Sequence, residues 1–518
     1  MISQDFLKSL ASERGVSDSE LEALSLAIAG QSIPAIAKQL NIREDAVRKR
    51  LGEVYKKFQI TGMGPGKLAK LQQLLISLAR QNHLSEVASA SKTEEDSNQA
   101  RQDWGEAPPV SAFYGRSTEL MELERSIVKG SRLVALLGIG GIGKTTLAIK
   151  LAQQIQSEFD WVIWRSLRRA LPADELLSEL VTLLSHQPTK LEDIDDRISQ
   201  LIEHLRRQRC LLVLDDLEAV LSRGVAGYYR EKYEDYGKLF QRLGEEPHQS
   251  CLMLVGLEKP KEVAFLEREN LPVLSWQLAG LPEADARKIL HSKGLAQERE
   301  WTTLIKLYRG HPLALKIVSG TIQEFFGGRV TDFLSYNTLV IGDIEDLLAD
   351  QFERLSELEK DIMYCLAIAQ EPVALPQLGE QMFLPVALAN LLEALESLRQ
   401  RSLIEKGQDS MITLQPAILE YVTNRLVEQV CEEIQAQKLD KIQLLRNHVL
   451  VQDKDGIKEA SFIPILTRIQ DKLRTIFRNE QLIESKLNDM QALLQEKSLL
   501  EVGYLPENVR HLLELAQN

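Results

Sequence analysis

The chain has 518 residues, of which 44% are hydrophobic and 26% charged, and its formal net charge is −13. That length exceeds what one hydrophobic core serves and suggests about three or four domains, while the acidic balance excludes a generally basic nucleic-acid binder but not a local basic face. No apolar run approaches the roughly 18 residues that span a bilayer and Met1–Lys8 lacks a secretory pattern, so a cytoplasmic protein without a membrane partner is expected.

Residues 1–82 carry mostly helical patterning. Leu21, Leu24, Ala27 and Ile28 mark one apolar face, Gly30 interrupts it, and Ile33–Leu40 follows as a short helix. Asn41-Ile42-Arg43 makes a turn before a third helix over Glu44–Phe58, with Val47, Leu51, Val54 and Tyr55 facing inward. This spacing predicts a helix-turn-helix. Residues 38–57 hold seven basic side chains against Glu44, Asp45 and Glu53, a local charge of +4 in an acidic chain. Arg43, Arg48, Lys49, Arg50, Lys56 and Lys57 are the candidate DNA-binding residues, because a helix entering a major groove needs phosphate attraction along its flank. Arg48 and Arg50 could also read guanine edges. The same face also suits protein contact. The string Ile36–Ile42 followed by Ala46–Leu51 resembles LuxR-type DNA-binding domains over about 40 residues.

Residues 83–112, rich in Ser, Glu and Asp and ending near Pro108-Pro109, read as a linker. The apolar run Leu133–Leu137 then reads as a buried strand leading into Gly138-Ile139-Gly140-Gly141-Ile142-Gly143-Lys144-Thr145, with Thr146–Leu151 opening a helix. Strand, glycine loop and helix together form a phosphate-binding loop. Its glycines let backbone N–H groups curl around phosphate oxygens, and the helix N-terminus adds partial positive charge. Lys144 is expected on the β- and γ-phosphates, and Thr145 on Mg²⁺. A second buried strand, Cys210–Leu214, ends in Asp215-Asp216. Asp215 is expected to hold Mg²⁺ and Asp216 to polarise an attacking water.

Phe113-Tyr114-Gly115-Arg116, the glycine loop, Leu211–Asp216 and Gly310-His311-Pro312-Leu313 occur in the order found in NB-ARC ATPases of the STAND class, and the cyanobacterial branch looks closest. The resemblance covers roughly residues 111–430. It implies a multidomain α/β plus α protein: a P-loop NTPase parallel sheet over 113–258, a helical lid over 259–340, a winged helix over 341–431 and a helical C-terminal region over 432–518, all behind the N-terminal helix-turn-helix. It implies ATP or ADP with Mg²⁺, bordered by Tyr114, Gly115 and Arg116, by Gly138, Gly140, Gly141, Ile142, Gly143, Lys144, Thr145 and Thr146 of the loop, and by Pro312 and Leu313 of the lid. ADP would hold a closed state, and ATP an open, self-oligomerising one.

Two departures stand out. Where relatives place a Thr/Ser–Arg pair after the fourth strand, this chain has Gly256-Leu257. A leucine cannot stabilise charge on a transferring phosphoryl group, so hydrolysis is expected to be slow or absent. Where many relatives carry Met-His-Asp, this chain has Leu414-Gln415-Pro416, leaving Gln415 to offer one uncharged hydrogen bond. The four cysteines form no CxxC and read as buried apolar residues. The C-terminal region resembles the segment that precedes sensor repeats, so a separate sensor protein is a candidate partner. Two whole-protein readings remain: a nucleotide-switched transcriptional regulator, or a signalling or defence scaffold whose N-terminal domain binds protein.

Overall fold

The computed structural model describes residues 16–28, 33–57, 101–110, 112–187, 193–336, 338–407, 410–451, 464–494 and 497–516. They fall into two units, divided between Asn98 and Gln99. The first contains α1 (Asp18–Ile28), α2 (Ile33–Gln39) and α3 (Glu44–Lys57). Ala23, Ala27, Ile36, Ala37, Val47 and Leu51 form its small core. Residues 58–100, which include most of the expected linker, lie outside the described set.

The second unit opens with β1 (Arg101–Asp103), then α4 (Ser117–Val128), β2 (Leu133–Leu137), α5 (Lys144–Ile155) and β3 (Trp161–Ser166). After α6 (Ala173–Ser185) and α7 (Ile194–Arg207) come β4 (Cys210–Asp215), α8 (Asp235–Glu245), β5 (Cys251–Gly256), α9 (Lys261–Arg268) and β6 (Val273–Gln277). The six strands pair in parallel in the order β1-β3-β4-β5-β2-β6. Every residue of β2, β4 and β5 is buried, as expected of a parallel sheet covered by helices on both faces. Two apolar clusters cover those faces, one holding Leu176, Leu201 and Phe240, the other Leu147, Leu151 and Trp164.

Both expected borders of this domain shift. The linker was expected to reach residue 112, yet Arg101–Asp103 add an edge strand to β3. Arg165 fixes that strand through Asp103 at 2.8 Å, and Trp104 packs 6.5 Å from Trp164. At the far side the domain was expected to end at 258, but β6 pairs with β2 along Leu133–Leu137. Its half-buried residues give a weak strand signal.

Four helices follow: α10 (Glu283–Ser292), α11 (Trp301–Leu307), α12 (Pro312–Phe326) and α13 (Val330–Leu334). Next come α14 (Asp343–Phe352), α15 (Glu357–Ala369), α16 (Leu375–Glu380) and α17 (Leu388–Gln400), with an antiparallel hairpin of β7 (Ile404–Lys406) and β8 (Ile412–Leu414). The chain closes with α18 (Pro416–Ala436), α19 (Leu444–Asn447), α20 (Pro464–Phe477), α21 (Glu480–Leu493), α22 (Leu499–Val502) and α23 (Leu505–Ala516). One continuous apolar core runs from Leu281 to Leu513 through all these helices. The cysteines are free and buried. Among the described residues no helix is long and apolar enough to cross a membrane.

Candidate nucleotide-binding site

The glycine loop lies between β2 and α5, at the carboxyl end of the sheet where open α/β folds bind ligands. Gly138, Gly141 and Gly143 adopt positive φ of 151°, 74° and 102°, conformations open to glycine and strained for other residues. Gly141 has a second reason. A Cβ there would meet the Leu313 side chain at 2.6 Å and His311 at 3.0 Å. The loop and the start of α12 are therefore packed too closely for any larger residue.

Between them is a cavity of about 290 Å³. Tyr114, Arg116, Gly141, Ile142, Gly143, Lys144, Thr145, Thr146, Pro312 and Leu313 line it, together with Ala112, Phe113, Leu281 and Lys316. Lys316 is one helical turn beyond Pro312, a spacing from which its side could have been read. Gly115, Gly138 and Gly140 shape the site without lining it. A Cβ on Gly115, at φ +65°, would strike the Asp285 carboxylate at 2.5 Å. Arg116 braces the loop: its guanidinium donates to the Ile142 carbonyl at 3.2 Å and pairs with Glu119 at 2.8 Å.

Lys144 is buried, and its ammonium donates to the carbonyls of Gly138 at 2.9 Å and Ile139 at 3.2 Å. Burial holds its pKa down; Glu218, then Asp215 and Asp216, oppose that effect. Thr145 Oγ1 donates to Asp215 Oδ1 at 3.2 Å, so the two expected Mg²⁺ ligands are adjacent. Burial, helped by the neighbouring Asp216, pushes the Asp215 carboxyl up to about 6. A hydroxyl beside a desolvated carboxylate fits a hard divalent cation, which prefers oxygen donors. With the buried lysine and the glycine cradle, these residues fit a Mg²⁺-bound phosphate chain.

Other placements differ from expectation. Asp216 turns toward the end of β3, where it accepts from Ser166 Oγ at 2.7 Å. Glu218 is the carboxylate that acts most strongly on Lys144, and burial raises its own pKa. Sequence reading missed it, although Asp215-Asp216-Leu217-Glu218 shows an acid two residues past the pair. Gln415 donates to the Ser402 carbonyl at 3.4 Å and does not line the cavity. Lys259, two residues past Leu257, is bound to Glu267 at 2.7 Å. His311 is buried and caps α12. Its Nδ1 accepts from the Ala314 N–H at 3.1 Å, which leaves Nε2 to donate to the Gly140 carbonyl at 2.8 Å.

In the N-terminal unit, Arg43 and Lys49 are exposed on the turn and α3. Arg50 donates to the Ser19 carbonyl at 3.3 Å, and Lys57 pairs with Glu20 at 2.6 Å, so both reach back to α1. The side chains of Arg48 and Lys56 lie outside the described set.

The parallel sheet and the loop with its lysine and strand-end aspartate define a P-loop NTPase fold. Residues 117–223 match the NB-ARC domain model. It is 41% identical over 464 residues to an uncharacterized WD repeat-containing protein of Nostoc sp., a match covering 80% of this chain and 37% of that protein. It is 25% identical over 272 residues to a putative disease resistance RPP13-like protein of Arabidopsis thaliana, covering 49% of this chain and 24% of that one. The chain thus spans well under half the length of these relatives. Among solved structures it is similar to a Pyrococcus horikoshii STAND protein with a tetratricopeptide repeat sensor, at 18% identity and a TM-score of 0.34, over 80% of this chain and 60% of that one.

Proposed function

We propose that the chain is a STAND-type molecular switch in which ATP or ADP, with Mg²⁺, is clamped between the glycine loop and the helical lid. The observation that carries this reading is the cavity shared by the two, with Lys144 and Thr145 on one side and Pro312 and Leu313 on the other. A nucleotide seated there touches both domains, so its phosphate count can bias their arrangement. Lys144 would hold the phosphates, and Thr145 with Asp215 the cation, which supplies neutralising charge. With Leu257 at the end of β5 and Asp216 turned to Ser166, hydrolysis is slow or absent. We read α15–α17 with the β7–β8 hairpin as the winged helix of the switch, and α1–α3 as its helix-turn-helix output.

Opening of the clamp would allow self-association, which pairs the N-terminal units and raises DNA affinity by avidity. Exposed Arg43 and Lys49 support DNA as that partner. A second reading, a signalling or defence scaffold, draws support from the engagement of Arg50 and Lys57 with α1, which subtracts from the basic face. A sensor partner would act through the C-terminal helices under either reading. The nucleotide released from the purified, heat-denatured protein tests the clamp: stoichiometric ADP or ATP is expected. If none is released and neither nucleotide binds when added, the reading fails.

A further inference from the structure

At the end of β5, where the NB-ARC resemblance implies an arginine, this chain has Leu257, but arginines reach that end from elsewhere in the chain. Gly256, the last residue of β5, pairs with Leu137, the residue before Gly138, whose carbonyl accepts from the Lys144 ammonium; Leu257 and Glu258 follow Gly256 directly. Glu258 is 1% exposed. Arg354 Nε pairs with its Oε1 at 2.9 Å, and Arg401 Nη2 approaches its Oε2 at 3.4 Å. Arg354 lies just past α14, a helix that runs against the glycine loop: a Cβ on Gly140 would meet Leu347 at 2.9 Å and Gln351 at 3.4 Å. Arg401 follows α17, before the hairpin.

This buried cluster is only partly satisfied. Arg401 also reaches the Arg354 carbonyl at 3.2 Å and Glu359 at 3.7 Å, but Arg354 Nη2 and Arg401 Nε have no hydrogen-bond partner among the described residues. Buried guanidinium donors without acceptors are costly, and an anion that reaches them gains charge-assisted hydrogen bonds. Glu218 links the cluster to the loop. Its Oε2 accepts from the Leu257 N–H at 3.3 Å, and it feels the charges of both Lys144 and Arg354.

We propose that Arg354, parked on Glu258, is the cation that distinguishes a nucleoside triphosphate from a diphosphate, in place of the arginine absent at position 257. This rests on the nucleotide clamp proposed above. Held on Glu258, Arg354 does not line the cavity; the γ-phosphate would have to draw it away from that carboxylate. Because Arg401 shares Glu258, that exchange unsettles the contact between the β5 end and the hairpin unit, and the phosphate count reaches the winged helix.

The test uses the full chain, with Mg²⁺ and either ADP or the non-hydrolysable triphosphate AMP-PNP, by calorimetry. Arg354→Gln is expected to weaken AMP-PNP by roughly tenfold or more, the worth of one charge-assisted contact, while ADP changes less than about twofold. Arg354→Lys restores part of the difference, since it keeps charge but loses the fork. Equal effects on both nucleotides, or none on either, would overturn the proposal. If Arg354→Gln does not fold, the Lys variant decides: an unchanged AMP-PNP-to-ADP affinity ratio counts against Arg354. Failure of the wild-type chain to bind either nucleotide would sink the clamp itself, and this inference with it.

Discussion

His311 Nε2 donates to the Gly140 carbonyl at 2.8 Å and thereby ties the first turn of the lid helix α12 to the glycine loop. The ring is neutral in this arrangement, because Nδ1 accepts from the Ala314 N–H. Burial, with Lys144 and Arg116 nearby, pushes the His311 pKa down to about 4. Its ordinary value is about 6.5, so the unfolded chain binds the extra proton between these values. The stabilisation is therefore complete above about pH 6.5 and is lost as pH falls toward 4. His311→Leu should lower the apparent unfolding midpoint at pH 7.5, by about 1–3 kcal/mol of stability, because the Ala314 N–H and Gly140 carbonyl lose their partner. Near pH 4.5 the gap should shrink. A gap independent of pH would show that His311 is not held neutral.

Asp215 carries the opposite sign. Its folded pKa is raised to about 6 by burial and by Asp216. The folded chain therefore holds a proton that the unfolded chain gives up, and stability drops as pH rises from about 4 through 6. Asp215→Asn should melt higher than the parent chain at pH 7.5 without Mg²⁺. It should also lose the gain in ATP affinity that Mg²⁺ confers. Melting curves with and without Mg²⁺ check both; a variant less stable than the parent would mean that Asp215 is charged at little cost.

Lys144→Ala should reduce ATP and ADP affinity by roughly a hundredfold, since a buried charge-assisted contact to phosphate is worth about 3 kcal/mol. The fold should survive, because removing Lys144 also relieves a buried ammonium. Fluorescent-nucleotide titration beside circular dichroism separates the two effects. Retained binding would place the nucleotide elsewhere.

The β1 strand depends on a close approach. Gly105 has φ +43°, and a Cβ there would meet the Trp164 carbonyl at 2.6 Å. Gly105→Ala should release residues 101–107 from the sheet edge, with a cost of about 1–3 kcal/mol. Limited proteolysis should then cut after Arg101, which in the parent chain is held in the β1–β3 pairing. Unchanged protection would mean that the edge strand contributes little.

The central sheet was legible because β2, β4 and β5 are buried on both faces, so their apolar runs stand out from the helices between them. The edges were not. β1 is polar Arg101-Gln102-Asp103, held by Arg165 rather than by its own hydrophobicity, and β6 is only half buried. In the site, local sequence motifs placed Lys144, Thr145 and Asp215 together. The cluster around Glu258 joins residues 96 and 143 positions apart, and nothing local in sequence announces such a meeting. Gln415 stands where the resemblance places the histidine of Met-His-Asp, but as the residue before α18 it donates its amide to the Ser402 carbonyl.

The six basic residues expected to face DNA do not stand alike. Arg43 and Lys49 are exposed, whereas Arg50 and Lys57 are bonded to Ser19 and Glu20 of α1. Lys57 also holds the Glu20 carboxyl below its ordinary pKa, chiefly through their hydrogen bond. Phosphate contact by Lys57 would require breaking that pair, while Lys49 needs no such rearrangement. Each phosphate contact adds about 0.9 to the slope of log affinity against log salt. Arg43→Ala with Lys49→Ala should therefore cut the measured slope by nearly two, while Lys57→Ala should change it by well under one. Fluorescence anisotropy with duplex DNA between about 50 and 200 mM salt reads both slopes. Equal losses from the two variants would mean that α3 releases Lys57 on binding. A parent chain without salt-dependent DNA affinity would favour the protein-binding scaffold, since a groove-reading helix cannot avoid displacing counterions.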